Sequence, residues 1–327
     1  MKFEGKDGVI DHFLMDVRAR GRGELTLVTY TQRLTVLARL LLELYQMADI
    51  EQVKVIHLRG CVQHLLDHGA GSVRGRRIAG DTMDANSVRG YVRVWKVFFN
   101  WCFQEELIDT NVVARLRAPQ SIKRVIPAFT VEHVEKMLST CDISTDIGYR
   151  NYVIILLFLD TGMRLSELSR LNVDSIHERF VKVFGKGRKE REIGIRPEIS
   201  KLLWKYVQKY RHASNVDEKA LFIAQHGRRI GVEGIKAIIR VVKRESGIED
   251  VRVSPHTFRH TFAKWYLKNG GELFKLSREL GHSGVKITET YLQDFDSSDA
   301  RDDHDSFSPI SLLQLGQKRK KRKDKVE

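Results

Sequence analysis

The chain has 327 residues, 42% of them hydrophobic, which is enough for a packed core in each of two domains and excludes a chain that is disordered as a whole. Lys and Arg number 56 against 42 Asp and Glu, so the formal net charge is +14 and the pI is near 9.7. Such a charge favours a polyanionic partner, usually nucleic acid, because neutralised phosphates release counterions, although a protein can be basic without one.

Cysteine usage argues against a disulfide-linked protein, and hydropathy argues against a membrane-spanning one. Cys61, Cys102 and Cys141 lie far apart, and their odd, sparse count argues against a disulfide framework. Neither a C-x-x-C pair nor another zinc-ligand spacing is present, so no metal is predicted. The charged N-terminus has no signal-peptide core, and the longest apolar run, residues 153–159, is too short to span a bilayer. We therefore predict a cytoplasmic protein without a membrane partner.

Residues 1–118 are predicted to form a domain of helices only, with a first helix that starts near residue 10 and no further domain before it. Apolar residues at alternating spacings of three and four mark one helix over residues 27–44 and another over residues 88–102. A third helix is expected over residues 53–66. The aromatic stripe of the second helix, which includes Trp95, is assigned to core packing.

A basic surface that faces phosphates is predicted in and after this domain. Part of it lies on the helix that carries Trp95, part on a loop near residue 75 and part between two prolines. A solvated helix face is the alternative interpretation. The predicted DNA-binding residues are Arg74, Arg76, Arg77, Arg89, Arg93, Lys96, Lys123 and Arg124.

A linker and a second domain follow. Pro119 and Pro127 are two of only five prolines, and proline ends helices and favours extended backbone before it, so residues 119–128 are predicted to be the linker. A mixed α/β catalytic domain is predicted over residues 129–303. The expected elements are helices over 130–140 and 149–159, a β-hairpin over 180–195, and helices from Pro197 to about residue 295.

The segment SPHTFRHTFA combines a helix start with a histidine and an arginine. Ser254 is expected to cap the helix, so that His256 and Arg259 lie on one face near a helix N-terminus, where free N–H groups suit a phosphate. His256 and His260 also have the spacing of a zinc helix, but Thr257 stands where that motif has its glutamate. A structural helix with incidental His and Arg is the other alternative.

Three further segments change the balance between these interpretations. TGMRLSEL places Arg164 at the start of a predicted helix, and GKGRKER places Lys186 on the hairpin turn. LGHSGVKITETY places His282 after a helix stop at Gly281, with Tyr291 nine residues later. Each residue alone has a structural alternative: a salt bridge, a solvated turn or a half-buried tyrosine.

Taken together and in this order, the four segments resemble the motifs of the tyrosine recombinases, also called phage-integrase or Xer-type recombinases. The resemblance covers about residues 129–300, while the N-terminal half is similar to that family's core-binding domain only in its helix pattern. The catalytic residues that the resemblance implies are Arg164, Lys186, His256, Arg259, His282 and Tyr291.

The resemblance also implies a mechanism, in which the tyrosine attacks a DNA phosphate and forms a 3′-phosphotyrosyl link. Arg164 and Arg259 are expected to clamp the phosphate, because their rigid forks stay charged and can replace a metal ion. Lys186 is expected to protonate the leaving 5′-oxygen, His256 to assist deprotonation of the tyrosine, and His282 to help hold the phosphate. No cofactor is expected.

The fold implied is mainly α with a small β-hairpin or sheet: a helical, SAM-like core-binding domain and a mixed α/β catalytic domain that form a C-shaped DNA clamp. The implied partners are double-stranded DNA with inverted-repeat core sites and a homo-tetramer on two duplexes, which places the protein at the nucleoid. Residues 304–316 form an apolar segment expected to dock on a neighbouring protomer or, alternatively, on its own domain.

Residues 317–327 are expected to be a basic, disordered tail that adds phosphate contacts or only solubilises the chain. Two other functions stay open: a type IB-like DNA topoisomerase, and a DNA-binding factor that never cuts. Among recombinases, integration or excision of a mobile element, transposition, DNA inversion and dimer resolution share the same chemistry. The sequence indicates neither the DNA site nor the accessory proteins nor the direction of the reaction.

Overall fold

The structure, a computed structural model, divides into two compact units, Met1–Arg124 and Val125–Glu327. The division lies within the predicted linker, residues 119–128. Both units are mainly helical, and each contains one two-stranded antiparallel sheet among its described residues, which confirms the prediction of a mainly α fold with a small hairpin or sheet. The residues that the structure describes are 1–5, 8–70, 72–73, 76–77, 82–120, 127–185, 190–282 and 284–294.

In the first unit, the helices predicted over residues 27–44, 53–66 and 88–102 and the first helix predicted to start near residue 10 are confirmed. They are α1 (Val9–Ala19), α2 (Glu24–Tyr45), α3 (Val55–His68) and α4 (Ala85–Gln104).

The prediction that this unit contains only helices is wrong. Strands β1 (Ser72–Val73) and β2 (Arg76–Arg77) pair antiparallel, Ser72 with Arg77 and Val73 with Arg76. Arg76 and Arg77, which were expected on a loop, therefore belong to a strand. The alternation that marks a strand needs four or more residues, so a two-residue strand leaves no periodic signal in the sequence.

Helix α4 supplies most of the aromatic core of the first unit. Its N-terminus is capped by Asp84, whose Oδ1 accepts hydrogen bonds from the backbone N–H groups of Asn86 and Ser87 at 2.9 and 3.2 Å. The side chain of Trp95 is fully buried, and its Nε1 donates to the carbonyl oxygen of Arg33 at 3.2 Å. The predicted aromatic stripe therefore does face the core.

The second unit contains the remaining helices and a longer hairpin. Its helices are α5 (Val131–Ser139), α6 (Asp146–Thr161), α7 (Leu165–Arg170), α8 (Pro197–Lys205), α9 (Val232–Ser246), α10 (Pro255–Lys268), α11 (Leu273–Leu280) and α12 (Val285–Thr288), and a 3₁₀ helix, Glu289–Asp294, follows α12. Helix α6 is the centre of the unit: Phe158 on α6 stacks on Phe258 of α10 with ring centroids 5.6 Å apart, and both rings are fully buried. Packing of α10 on α6 fixes the helix that carries the H-x-x-R segment.

The predicted hairpin is confirmed as strands β3 (Phe180–Phe184) and β4 (Glu190–Gly194), which pair antiparallel. Val181 and its partner Ile193 are fully buried, so this pair anchors the hairpin to the core. Residues 186–189, which include Lys186, lie outside the described residues.

The prediction of helices throughout the region after Pro197 is wrong between α8 and α9. A π turn, Tyr206–Tyr210, ends α8, and irregular backbone follows as far as Gly231. Arg229 holds this segment, because its Nη1 donates to the carbonyl oxygens of Ser169 and Leu171, each at 3.0 Å. Long-range hydrogen bonds rather than a periodic apolar face define the segment.

The three cysteines are free thiols and buried, and burial raises the pKa of Cys61 and of Cys102 to about 12.

In the described part of the chain, no helix combines the length and the apolar character that a membrane span requires.

Candidate active site

Arg259 lies at the centre of the candidate site, on α10. Ser254 caps this helix as predicted, since its Oγ accepts the backbone N–H of Thr257 at 3.3 Å. The Arg259 side chain is buried, and its fork donates to two carbonyl oxygens, to Gly162 from Nη1 at 2.9 Å and to Leu280 from Nη2 at 2.8 Å. The guanidinium therefore has a defined orientation before any ligand binds.

The C-terminal end of α11 holds the arginines of the site. Gly281 ends this helix with a positive φ of 62°, as predicted from the sequence. The last carbonyl groups of a helix have no partner within it and carry a partial negative charge, so they accept well from cations. Leu280 accepts from Arg259, and Gly281 accepts from Nη2 of Arg164 at 2.9 Å. Two guanidinium groups are thus hydrogen-bonded to the carbonyl oxygens of two consecutive residues.

Arg164 is the residue just before α7, as predicted, and Glu167 fixes it there. One carboxylate oxygen of Glu167 accepts the backbone N–H of Arg164 at 2.8 Å, and the other accepts its Nη1 at 2.9 Å. The Arg164 side chain stays 39% exposed, whereas the Glu167 side chain is only 3% exposed. Part of the guanidinium is therefore open to a ligand while the rest is held in place.

The sequence reasoning missed Glu167, although its position three residues after a helix start is that of a capping-box glutamate. It also missed Arg191 on β4, which donates to the Glu167 carboxylate from Nη1 at 2.8 Å and from Nη2 at 3.0 Å. Burial raises the pKa of Glu167, but the hydrogen bonds from Arg191 and Arg164 outweigh burial, so the pKa lies below its ordinary value. No local pattern indicates this pairing of residues far apart in the chain.

His282 follows Gly281 and contacts Arg259. Its Nε2 lies 2.7 Å from Nη2 of Arg259, and its Nδ1 lies 2.8 Å from Oγ1 of Thr288. Burial and then the charges of Arg259, Arg164 and Arg191 lower the pKa of His282 to about 4, so the ring is neutral near pH 7. Because arginine only donates, Nε2 is the acceptor, and the proton on Nδ1 is directed to Thr288.

Tyr291 lies on the 3₁₀ helix after α12, between two histidine rings. Its ring centroid is 6.3 Å from that of His282, nearly parallel, and 5.4 Å from that of His260 on α10. Burial lowers the pKa of Arg259, the charge of Arg164 lowers it further, and the nearby Tyr291 hydroxyl opposes both. The Tyr291 ring is linked by geometry to Arg259, the most deeply buried arginine of the site, through His282, whose Nε2 lies 2.7 Å from Arg259.

The structure brings together four of the six residues implied as catalytic: Arg164, Arg259, His282 and Tyr291. His256 is exposed on the first turn of α10, and within the described residues it makes no ring contact with Tyr291. His260, one turn further along the same helix, makes that contact instead. Lys186 lies outside the described residues, so its place relative to the site remains a prediction.

The predicted DNA-binding residues fall in three groups. Arg89 and Arg93 are exposed on one side of α4, with Lys96 half-buried beside them, and Nη1 of Arg89 donates to the carbonyl oxygen of Pro119 at 2.8 Å. The backbone of Arg76 and Arg77 forms β2. Arg74, Lys123 and Arg124 lie outside the described residues. Among the residues that are described, no cluster of three or more His, Cys, Asp or Glu side chains is arranged to hold a metal ion.

Comparison with known proteins shows the family of this chain. The model of the phage integrase family matches residues 127–298, which is more than half of the chain. This chain therefore belongs to the phage integrase family, the tyrosine recombinases, whose members are site-specific DNA recombinases.

Two bacterial relatives carry the name tyrosine recombinase XerD. The protein of Staphylococcus haemolyticus is 28% identical over 288 residues, which cover 86% of this chain and 92% of the relative. The protein of Listeria monocytogenes serotype 4b is 30% identical over 212 residues, which cover 63% of this chain and 71% of the relative.

Solved structures share the fold at low sequence identity. A lambda integrase dimer bound to a COC′ core site superposes with a TM-score of 0.68 at 18% identity, over 85% of this chain and 95% of that chain. The Tn1549 transposon integrase in complex with a circular intermediate DNA gives a TM-score of 0.70 at 18% identity, over 91% and 98% of the two chains.

Proposed function

We propose that this chain cuts and rejoins double-stranded DNA at specific sites, with Tyr291 as the nucleophile. The observation that carries the proposal is the convergence of Arg164 and Arg259 on the adjacent carbonyls of Gly281 and Leu280, with the Tyr291 ring against His282, which contacts Arg259. Two fixed guanidinium groups beside a phenol are the arrangement that phosphoryl transfer to a tyrosine requires.

The two arginines stabilise the transition state. Displacement at a phosphodiester spreads negative charge over the non-bridging oxygens, and a rigid guanidinium fork is suited to hold them. Arg164 and Arg259 are held by carbonyl groups, so they need little reorganisation when the phosphate enters. We propose that the exposed part of the Arg164 fork binds one oxygen and Arg259 the other.

The bonds and protons of the proposed step balance. The Tyr291 oxygen forms a bond to phosphorus as the bond to the 5′-oxygen breaks, and the product is a 3′-phosphotyrosyl ester with a free 5′-hydroxyl. A base takes the phenol proton, for which His256 remains the proposal from the sequence, and Lys186 supplies the proton to the leaving 5′-oxygen. Because the ester is conserved, attack by a 5′-hydroxyl reverses the step without ATP.

The proposed partners are two DNA duplexes with inverted-repeat core sites and three further copies of this chain. A lambda integrase tetramer bound to a Holliday junction is among the structures with this fold, at a TM-score of 0.68 and 18% identity. We propose that residues 304–316, outside the described residues, dock between protomers. The same strand exchange would serve integration or excision, transposition, or dimer resolution.

Covalent capture tests the cutting step. A pool of labelled duplexes with a random central segment is incubated with the purified chain, denatured and run on a gel, and the captured DNA is sequenced to define a site. The wild type should form a labelled covalent band, and Tyr291→Phe should form none while it retains DNA binding. Tyr266→Phe is the matched control, because Tyr266 packs in the same apolar cluster as Tyr291. A covalent band from Tyr291→Phe would reject the assignment of the nucleophile.

A second assay separates a recombinase from a type IB-like topoisomerase. A plasmid with two copies of the captured site should yield recombined products, and their formation should require both copies. Relaxation of a supercoiled plasmid that lacks the site, without any exchange, would support the topoisomerase instead.

A further inference from the structure

Arg191 is a third arginine of the site, and the proposed mechanism assigns it no task. It is the second residue of β4, opposite Val183, and its side chain is 17% exposed. Both of its terminal nitrogens bind the Glu167 carboxylate, at 2.8 and 3.0 Å. This side-by-side pairing is the strongest geometry available to an arginine and a carboxylate.

The Glu167 carboxylate is shared between two arginines. Its Oε1 accepts from Arg164 and from Arg191, and its Oε2 accepts from the Arg164 backbone and from Arg191. Two positive charges on one buried negative charge leave one net positive charge at the group. Without Arg191, Glu167 and Arg164 would form a neutral pair, and Arg164 would attract a phosphate less strongly.

Arg191 also touches the helix end that holds the other arginines. Its Nε lies 3.4 Å from the carbonyl oxygen of Glu279. A Cβ atom on Gly281 would lie 2.7 Å from Cζ of Arg191, so the guanidinium packs directly against the backbone there. Arg191 therefore connects β4 with α7 and with the end of α11.

We propose that Arg191 is a positioning residue of the recombination reaction: it balances the charge of Glu167 and so keeps Arg164 available for the scissile phosphate. Through the same contacts it ties strand β4 to the arginine clamp. This inference rests on the proposed function, since it assigns Arg164 to the phosphate.

The first test removes the charge of Arg191 but keeps its bulk. With the wild type, Arg191→Met and a nicked duplex of the captured sequence, the rate of covalent attachment is measured at saturating protein. Arg191→Met should attach roughly 10²-fold more slowly with unchanged affinity for the duplex. Arg196→Met is the matched control, because Arg196 follows the same strand but its side chain is 74% exposed and forms an ion pair with Glu198. This variant should attach at the wild-type rate.

The second test distinguishes charge balance from simple anchoring of the hairpin. Glu167→Gln removes the negative charge that Arg191 balances, so the double variant Glu167→Gln with Arg191→Met should attach roughly tenfold faster than Arg191→Met alone. A purely structural arginine would not be rescued by loss of a second buried contact. Additive losses in the double variant, or a wild-type rate for Arg191→Met, would overturn the inference.

The outcomes separate this inference from the proposed function. If the wild type forms a covalent product and Arg191→Met does so equally fast, only the role of Arg191 is rejected. If the wild type forms no covalent product with any duplex of the random pool, the proposed function fails and this inference fails with it.

Discussion

The two units of the chain differ in what they bury. In the first unit the core consists of aliphatic and aromatic side chains around Trp95 and Phe98. Among the described residues, all the buried side chains that are polar or charged lie in the second unit. These residues are Arg150, Thr161, Glu167, Ser169, Ser175, Ser200, Thr257, Arg259, His260, Thr261, Ser277 and Thr288.

This difference separates a packing module from a chemical one. Burial of a charge is unfavourable unless hydrogen bonds compensate it, so a fold keeps such groups where they are used or fully paired. In the second unit Arg259 is paired with backbone carbonyl groups, and Glu167 is paired with two arginines of the candidate site. In the first unit the basic residues Arg89 and Arg93 stay exposed, which suits contact with a surface rather than catalysis.

The largest expected effect is on the chemistry of the second unit. Arg259→Lys keeps a positive charge but loses the fork that reaches Gly162 and Leu280, so we expect the rate of covalent attachment to fall by roughly 10³-fold or more. Single-turnover attachment at saturating protein measures this. Arg252→Lys, an exposed arginine before α10, is the control. A fall below tenfold would mean that a point charge suffices at this position.

The next effect concerns the core of the first unit. Trp95→Ala removes a fully buried ring and the hydrogen bond to Arg33, so the free energy of unfolding should fall by about 3–5 kcal/mol. Urea unfolding monitored by circular dichroism measures the change. Leu25→Ala is the control, because Leu25 is 80% exposed and should alter stability little. Equal losses for both variants would contradict the assignment of the aromatic stripe to the core.

A smaller effect is expected on DNA affinity from the exposed side of α4. If Arg93 contacts a phosphate, Arg93→Ala weakens binding and reduces the slope of log affinity against log salt by about 1. The rate of attachment in the saturated complex should not change, which is the opposite of the Arg259 result. Arg18→Ala, on the exposed side of α1, serves as control. An unchanged salt slope for Arg93→Ala would favour a merely solvated helix face.

The smallest effect is on the pH dependence of stability through His282. The pKa of His282 is about 4 in the folded chain against an ordinary 6.5, so between these values the unfolded chain binds a proton that the folded chain does not. Stability therefore falls as the pH falls through this window. His282→Asn should lose less thermal stability than the wild type over the same window, as measured by calorimetry. Parallel losses would show that His282 is not held neutral by burial and by the charges of the arginines.

Local pattern was sufficient for much of the fold. Apolar spacing predicted α2 and α4, and the residue types at helix ends predicted the cap at Ser254 and the stop at Gly281, because these features depend on neighbours within one or two turns. Local pattern failed for β1 and β2, because two-residue strands are too short to show the alternation of apolar and polar residues that marks a strand. It also failed for the backbone before α9, which Arg229 holds through carbonyls far away in the chain.

For the site, the four ordered motifs were enough to select Arg164, Arg259 and Tyr291 and to indicate the family, since residue type and order survive in a sequence. The partners of these residues were not predictable. Glu167 and Arg191 are 24 positions apart in the chain, and Arg164 and Gly281 are 117 positions apart. The packing of α7, β4 and α11 brings these residues together. The sequence around a charged residue does not indicate which distant group will pair with it.

The two histidines of α10 show the same limit at Tyr291. His256 and His260 are one helical turn apart on α10, and the motif favours His256. Which ring lies against the tyrosine depends on where the 3₁₀ helix after α12 packs, and it packs against His260. The order of residues along the chain determined which chemical groups belong to the site. The packing of the helices and the hairpin determined which residues these groups contact, because the buried charges need partners from distant parts of the chain.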